Sequence, residues 1–289
     1  MTNRLAIARE AMRAAFQVRR SLSMPREAPV NPFDLSQSLG IDVWFMDTPS
    51  LEGMFTRSPD PRIILPAWNH RPFGRLCFSC AHELGHAQLE HGNRIDEYLD
   101  EPRASKDPQE MAADVFASSL LMPRPAVLRA FESRGTTPTT ASSLQLLTVA
   151  FELAVGLETL VKHLRWGLDV IDDSVLKRYL KVSPKQIRRE VFGAESPAVI
   201  VPVDDGWRSP SVDLEVGQAV ARPSNRPLME EASPLLARTL RVDGWDVYVA
   251  RRPGVAAIDM DGRRIPFRVA RTGYVGAWQN RFLEDPEAT

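Results

Sequence analysis

Two histidines four residues apart flank a glutamate in the string His82-Glu83-Leu84-Gly85-His86. On an α-helix such a pair lies about 40° apart around the axis and about 6 Å apart along it, so both imidazoles can reach one metal ion. Glu83 is turned about 60° from His86, close enough to approach a water at the metal without taking a ligand position. Neutral imidazole nitrogens suit zinc, and a carboxylate suits the proton transfer that hydrolysis by water requires. Gly85 costs its helix about 1 kcal/mol relative to alanine, a loss that a closely packed neighbour would explain.

Two histidines leave zinc short of a third protein ligand. Glu110, 24 residues after His86, is the preferred candidate, with Glu97 and Glu101 as rivals. Asp107 and Pro108 make a cap and first-turn pair, which puts Glu110 in the first turn of a helix, where a carboxylate is favoured. Glu110, Ala113, Asp114, Ala117, Ser118 and Leu121 share one face of that helix, and its small residues would let it lie close to the metal-bearing one. Asp114 could then accept a hydrogen bond from the second ring nitrogen of His82 and set its tautomer. Arg75, Tyr98, His91 and His70 are candidates for binding substrate or stabilising an oxyanion. An exposed strand at Arg62–Leu65 would align an extended substrate by adding it to a sheet edge. Cys77 and Cys80 have the spacing of half a structural zinc site but no second pair, so they are expected to pack as small apolar residues.

These residues need a scaffold, and 289 residues suffice for about two domains. The chain is 44% hydrophobic and 25% charged, close to globular averages, which excludes wholesale disorder. Its net charge, 36 − 37 = −1, carries no polycation signature. Two cysteines make no disulfide framework and suit a reducing compartment, and no apolar run is long enough to span a membrane. The arginine-interrupted N-terminus does not read as an export signal, so the expected location is the cytoplasm.

Along the chain, residues 3–20 read as one helix with Leu5, Ala8, Met12, Ala15 and Phe16 on its apolar face and Ile7 and Val18 outside it. Asn31-Pro32 opens a short helix that stops at Gly40, and strands are expected at Ile41–Met46 and Arg62–Leu65. Arg75–Gly92 reads as the metal-bearing helix, followed by an acidic loop or short helix and then the Glu110 helix, which Pro123 ends. Further helices are expected between Leu144 and Val191. Short apolar runs at Ala198–Val203, Val212–Val216, Val242–Ala250 and Ile265–Val269 then indicate a β-rich end. The division expected is 1–135 for the N-terminal helix and metal core, 136–194 for a helical extension and 195–289 for the β-rich domain. In the extension, Lys177, Arg178, Lys181, Lys185, Arg188 and Arg189 cluster around a helix–turn–helix-like segment. The near-neutral net charge lends that cluster no further support as a nucleic-acid surface.

RLCFSCAHELGHAQLEHG followed by EMAADVFASSLLMP resembles the ImmA/IrrE family of metallo-endopeptidases. The resemblance extends upstream through NPFDLSQSLGIDVWF and the segment containing Gly53, and downstream through FELAVGLETLVKHLRWGL, or roughly residues 30–170. It implies a zincin-like metallopeptidase core with a helical extension, which together with the small β-rich C-terminal domain read from the apolar runs makes an α+β fold. It also implies His82, His86 and Glu110 as ligands of Zn2+, with Mn2+ or another divalent ion as substitutes, Glu83 as general base and Asp114 behind His82. Members of the family commonly cleave transcriptional repressors or antitoxins, so a separately encoded protein of that kind is the expected substrate. The family often has a histidine four residues after its HELGH motif, where this chain has Glu90 followed by His91. The competing reading is a DNA- or protein-binding stress regulator whose metal is structural.

Overall fold

The computed structural model of the chain describes residues 2–57, 59–92, 94–97, 107–226, 234–260 and 262–283. Two compact units emerge: one of Met1–Ala126 with Leu153–Val155 and Val275–Trp278, the other of Val127–Glu152, Gly156–Tyr274 and Gln279–Thr289. Among the described residues, no single helix is long and apolar enough to cross a membrane.

The first unit is built from α1 (Thr2–Ser21), α2 (Pro32–Ser38), β1 (Asp42–Met46), β2 (Leu51–Thr56), β3 (Arg62–Pro66), α3 (Phe73–Gln88), β4 (Arg94–Glu97) and α4 (Pro108–Leu121). A last short strand, β12 (Gly276–Ala277), completes a sheet of order β12-β1-β3-β2-β4. Val43 and Phe45, Leu51 and Phe55, and Ile63 and Leu65 alternate into the core, as period-two strands require. α3 packs against β2 and β3. The Asn31 side chain caps α2 by accepting from the Phe33 and Asp34 amides, which fixes the start expected for that helix. Phe33, Phe45, Trp68, Phe73 and Trp278 pack ring against ring, with Phe33 and Trp278 centroids 4.6 Å apart, and the Trp278 indole donates to Asp34 at 2.7 Å.

Three expectations need correction here. Arg62–Leu65 has no free edge, because β3 is paired in parallel with β1 and antiparallel with β2, so its backbone groups are committed on both sides. The acidic stretch expected as loop or short helix contains β4, the outermost strand beyond β2, where ladder pairing overrides a charged composition with little strand propensity. On α1 the buried face is Ala11, Ala15, Val18 and Arg19, while Leu5, Met12 and Phe16 are exposed. Small residues allow α1 to approach α4, and the Arg19 guanidinium donates to the Leu120 carbonyl at 2.9 Å, satisfying a group at the end of that helix.

The chain enters the second unit within α5 (Arg124–Glu132) and continues through α6 (Ser143–Glu152), α7 (Leu157–Lys162), a π-helical turn at His163–Gly167, α8 (Asp173–Tyr179) and α9 (Pro184–Phe192). The strands β5 (Ile200–Pro202), β6 (Val212–Glu215), β7 (Ala219–Pro223), β8 (Leu236–Val242), β9 (Trp245–Ala250), β10 (Gly254–Met260) and β11 (Arg263–Ala270) follow. They form sheets of order β10-β11-β6 and β5-β7-β9-β8. The run Val242–Ala250, expected as one strand, is broken at Asp243-Gly244. Both residues take positive φ (40° and 82°), giving the two-residue hairpin in which Val242 faces Trp245. The whole is the α+β arrangement expected, a zincin-like core with a helical extension and a β-rich C-terminal part.

Asp246 of β9 gives the second unit an acid-sensitive contact. Arg241 donates to its carboxylate at 2.6 and 3.0 Å and Ser224 at 3.1 Å. The Arg241 bonds are the main reason its pKa falls from the ordinary 3.8 to about 2. A depressed carboxylate adds stability above its unfolded pKa and loses it as pH drops through the folded one. Unfolding by urea should therefore become easier between about pH 4 and pH 2 in the wild type, and Asp246→Asn should flatten that dependence. Identical pH profiles for the two proteins would contradict this role.

Candidate metal centre

α3 carries both histidines on the face it turns toward α4. His82 Nε2 and His86 Nε2 lie 3.0 Å apart, and Glu110 reaches them from α4 at 3.3 Å (Oε2 to His82) and 3.5 Å (Oε1 to His86). The Asp107 side chain caps α4 through the Gln109 amide at 2.8 Å, which fixes where Glu110 emerges. Close approach of the two helices depends on Gly85. A Cβ there would stand 3.1 Å from Ala113 Cα and 3.1 Å from the Phe116 ring, tighter than ordinary van der Waals contact. Gly85 is therefore the gap that admits α4, and Ala113 is its small-residue counterpart.

The three donors fit a divalent ion. Metal–ligand bonds of about 2.0–2.1 Å at tetrahedral angles put neighbouring ligand atoms about 3.3 Å apart. The His82–His86 separation of 3.0 Å and the approaches of the two Glu110 oxygens, 3.3 Å to His82 and 3.5 Å to His86, lie near that value. The hydrogen bonds behind the rings agree. Asp114 Oδ1 lies 2.9 Å from His82 Nδ1, so the Nδ1–H donates to the carboxylate and Nε2 keeps its lone pair for the cluster. His91 Nδ1 lies 2.9 Å from His86 Nδ1. Among the described residues, His82, His86 and Glu110 are the group of His, Cys, Asp or Glu side chains placed to hold one ion, and neither cysteine belongs to it. Cys80 sits buried with its Sγ 3.7 Å from the Ser36 hydroxyl, and burial raises its thiol pKa well above the ordinary value.

Glu83 lies on α3 with its carboxylate against Gly53 of β2 and is almost wholly buried. A Cβ on Gly53 would lie 2.6 Å from Glu83 Oε1 and 2.9 Å from its Cγ. The glycine is what gives the carboxylate its room. A β-bulge at Leu51/Gly53 marks the same place, and Glu52 within it binds Arg71 at 2.8 Å and Arg75 at 3.0 Å.

Of the other expected site residues, Arg75 is held by Glu52, and His70 is bonded to Asp47 at 2.6 Å. His91 is brought behind His86. Tyr98 and Glu101 lie outside the described residues, and Glu97 falls on β4. The basic residues sit on and between α8 and α9. Arg178 donates to the Thr139 carbonyl and Arg188 to Ser196, while Lys177, Lys181, Lys185 and Arg189 are exposed. Sequence reasoning missed the parts played by Gly53 and by the Glu52 bulge. A lone glycine in a strand is the usual signal of close approach by another group, and it was legible there.

The family model for Peptidase_M78, the IrrE N-terminal-like domain, matches residues 36–191, more than half of the chain. This protein belongs to that family. No curated protein matches the chain. The matched segment runs from within α2 to within α9, so it takes in the His82–His86–Glu110 cluster and the helices after it but stops short of β5–β11. As a member of this family, the chain carries on α3 and α4 of its first unit a cluster able to coordinate a divalent ion.

Proposed function

We propose that this chain is a zinc-dependent endopeptidase that hydrolyses a peptide bond in a separately encoded regulatory protein, a transcriptional repressor or an antitoxin. The observation that carries the reading is the convergence of His82, His86 and Glu110 beside a glutamate that is not one of the three. Two imidazoles and one carboxylate suit zinc and would also accept manganese. When bound, such an ion lowers the pKa of water and polarises a carbonyl. Glu83 would take a proton from the attacking water, whose oxygen bonds to the scissile carbonyl carbon, and would pass that proton to the departing amine as the C–N bond breaks. Asp114 would keep His82 in the tautomer that ligates. The outer strand β4 is the edge at which an extended substrate chain would add.

The proposed division of labour keeps hydrolysis in 1–135, with 136–194 as a helical extension and 195–289 as a separate β-rich part. A cytoplasmic location is proposed because two cysteines make no disulfide framework for a chain of 289 residues, a usage that suits a reducing compartment. Co-expression with candidate repressors and antitoxins tests the activity. A substrate fragment that appears with the wild type and not with Glu83→Gln supports it, and fragments equally abundant with both would overturn it.

Gly53→Ala probes the same site by geometry alone. The added methyl meets the buried Glu83 side chain at Oε1 and Cγ rather than backbone, so the fold should survive with a modest fall in thermal midpoint. The carboxylate must shift, and displacing a catalytic group by about 1 Å costs about 10²-fold in rate. Hydrolysis should fall by that order while zinc content is unchanged. Full activity in Gly53→Ala would show that the Glu83–Gly53 contact is irrelevant to the chemistry.

A further inference from the structure

We propose that His91 is a positioning residue for His86: its Nδ1 accepts the His86 Nδ1 proton and so holds the His86 Nε2 lone pair toward His82 and Glu110. The inference rests on the reading of His82, His86 and Glu110 as a metal centre and adds a residue to its support.

The backbone brings His91 there by a specific turn. α3 ends at Gln88, after which the Glu90 amide donates to the Ala87 carbonyl at 3.4 Å and the His91 amide to the His86 carbonyl at 3.1 Å. That pair of bonds is the Schellman closure of a helix, and it needs a left-handed residue between them. Glu90 supplies it with φ of 59°, where glycine is the usual occupant. The closure folds the chain back over the last turn, so a side chain five residues after His86 returns to the ring of His86 itself. The two Nδ1 atoms are 2.9 Å apart with the rings at 68°.

One proton occupies that contact, and its owner decides what His86 can do. A neutral imidazole has one N–H and one bare nitrogen. If His91 were the donor, His86 would carry its proton on Nε2, aimed at His82 Nε2 at 3.0 Å, and could not ligate. If His86 is the donor, its Nε2 is bare and His91 carries its own proton on Nε2. The metal reading allows only the second arrangement. His82 is treated in parallel by Asp114, so each ligand ring has its own acceptor behind it, a carboxylate in one case and a neutral ring in the other. The left-handed turn at Glu90 presents the next residue to His86.

Zinc affinity of the full chain, measured by competition with a chelating dye, tests this with His91→Leu and His91→Asn. Loss of the partner behind a ligand histidine typically costs about 10–100-fold in metal affinity, which is the loss expected for His91→Leu. Asparagine places an acceptor oxygen at the same remove from Cβ as histidine Nδ1, so His91→Asn should recover most of it. Unchanged affinity in His91→Leu overturns the proposal, and so does equal loss in both variants with their folds intact by circular dichroism. Nitrogen-15 spectra of the zinc-loaded wild type need no variant: they should show a protonated Nδ1 on His86 and a bare Nδ1 on His91, and the reverse assignment overturns the proposal. A wild type that binds no zinc removes the metal reading and this inference together, whereas a zinc-binding wild type with indifferent variants removes this inference alone.

Discussion

Glu83→Gln should retain zinc at the wild-type level and lose peptide hydrolysis by about 10²–10⁴-fold, the usual contribution of a general base. The retention follows from geometry, because the converging donors belong to His82, His86 and Glu110 and the Glu83 carboxylate lies against Gly53 instead. The loss follows from chemistry: an amide of the same shape cannot take the proton that the attacking water must give up. Burial of Glu83 makes replacement of its role by bulk water a poor alternative. Metal analysis and cleavage assays on one preparation separate the two effects. Loss of zinc with activity would make Glu83 a ligand, and retained activity would put the base elsewhere.

Arg134→Ala should destabilise the second unit by about 3–5 kcal/mol, the range for breaking a buried ion pair from one side. The Arg134 side chain is 3% exposed and bridges two carboxylates, Glu152 at 2.6 Å and Asp204 at 2.8 and 2.9 Å. Glu152 is 1% exposed and otherwise accepts from the Arg208 amide at 3.1 Å. Burial pushes its pKa up to about 7 even with Arg134 alongside. Alanine removes the compensating charge, so Glu152 must take up a proton or remain ionised in a desolvated site. A carboxyl with raised folded pKa contributes stability that is fully present below its unfolded pKa and disappears as pH rises through the folded one. The cost of Arg134→Ala should therefore be smaller at pH 5 than at pH 8. Urea unfolding at the two pH values checks both magnitude and sign, and a loss under about 1 kcal/mol at pH 8 would show that the pair is dispensable.

The helices that bear the candidate ligands were the most legible part of the sequence. Asn31 and Asp107 act as caps because a short side-chain oxygen can reach amides that a helix start leaves unbonded, a local rule that needs no tertiary knowledge. Gly85 was legible for the same kind of reason, since a costly residue in a helix asks for a close neighbour, and Ala113 is that neighbour. What escaped depended on partners distant in sequence. β4 is charged and pairs only because β2 lies beside it. The buried face of α1 differs from the expected one because Leu5, Met12 and Phe16 weigh more on an apolar scale than Ala11, although small residues let the helix lie close to α4; Ala15 belongs to both faces. The free edge assigned to Arg62–Leu65 failed because strand order is a property of the sheet, and β3 lies within it. His91 reads from the sequence only as a substrate or oxyanion candidate, because its contact with His86 depends on the left-handed turn at Glu90.

Anomalous diffraction at the zinc edge from crystals of the zinc-loaded chain addresses the metal centre most directly. One peak is expected on the first unit, about 2.0–2.2 Å from His82 Nε2, His86 Nε2 and a Glu110 carboxylate oxygen. A peak elsewhere, or a fully loaded site in which Glu110 takes no part, would contradict that ligand set.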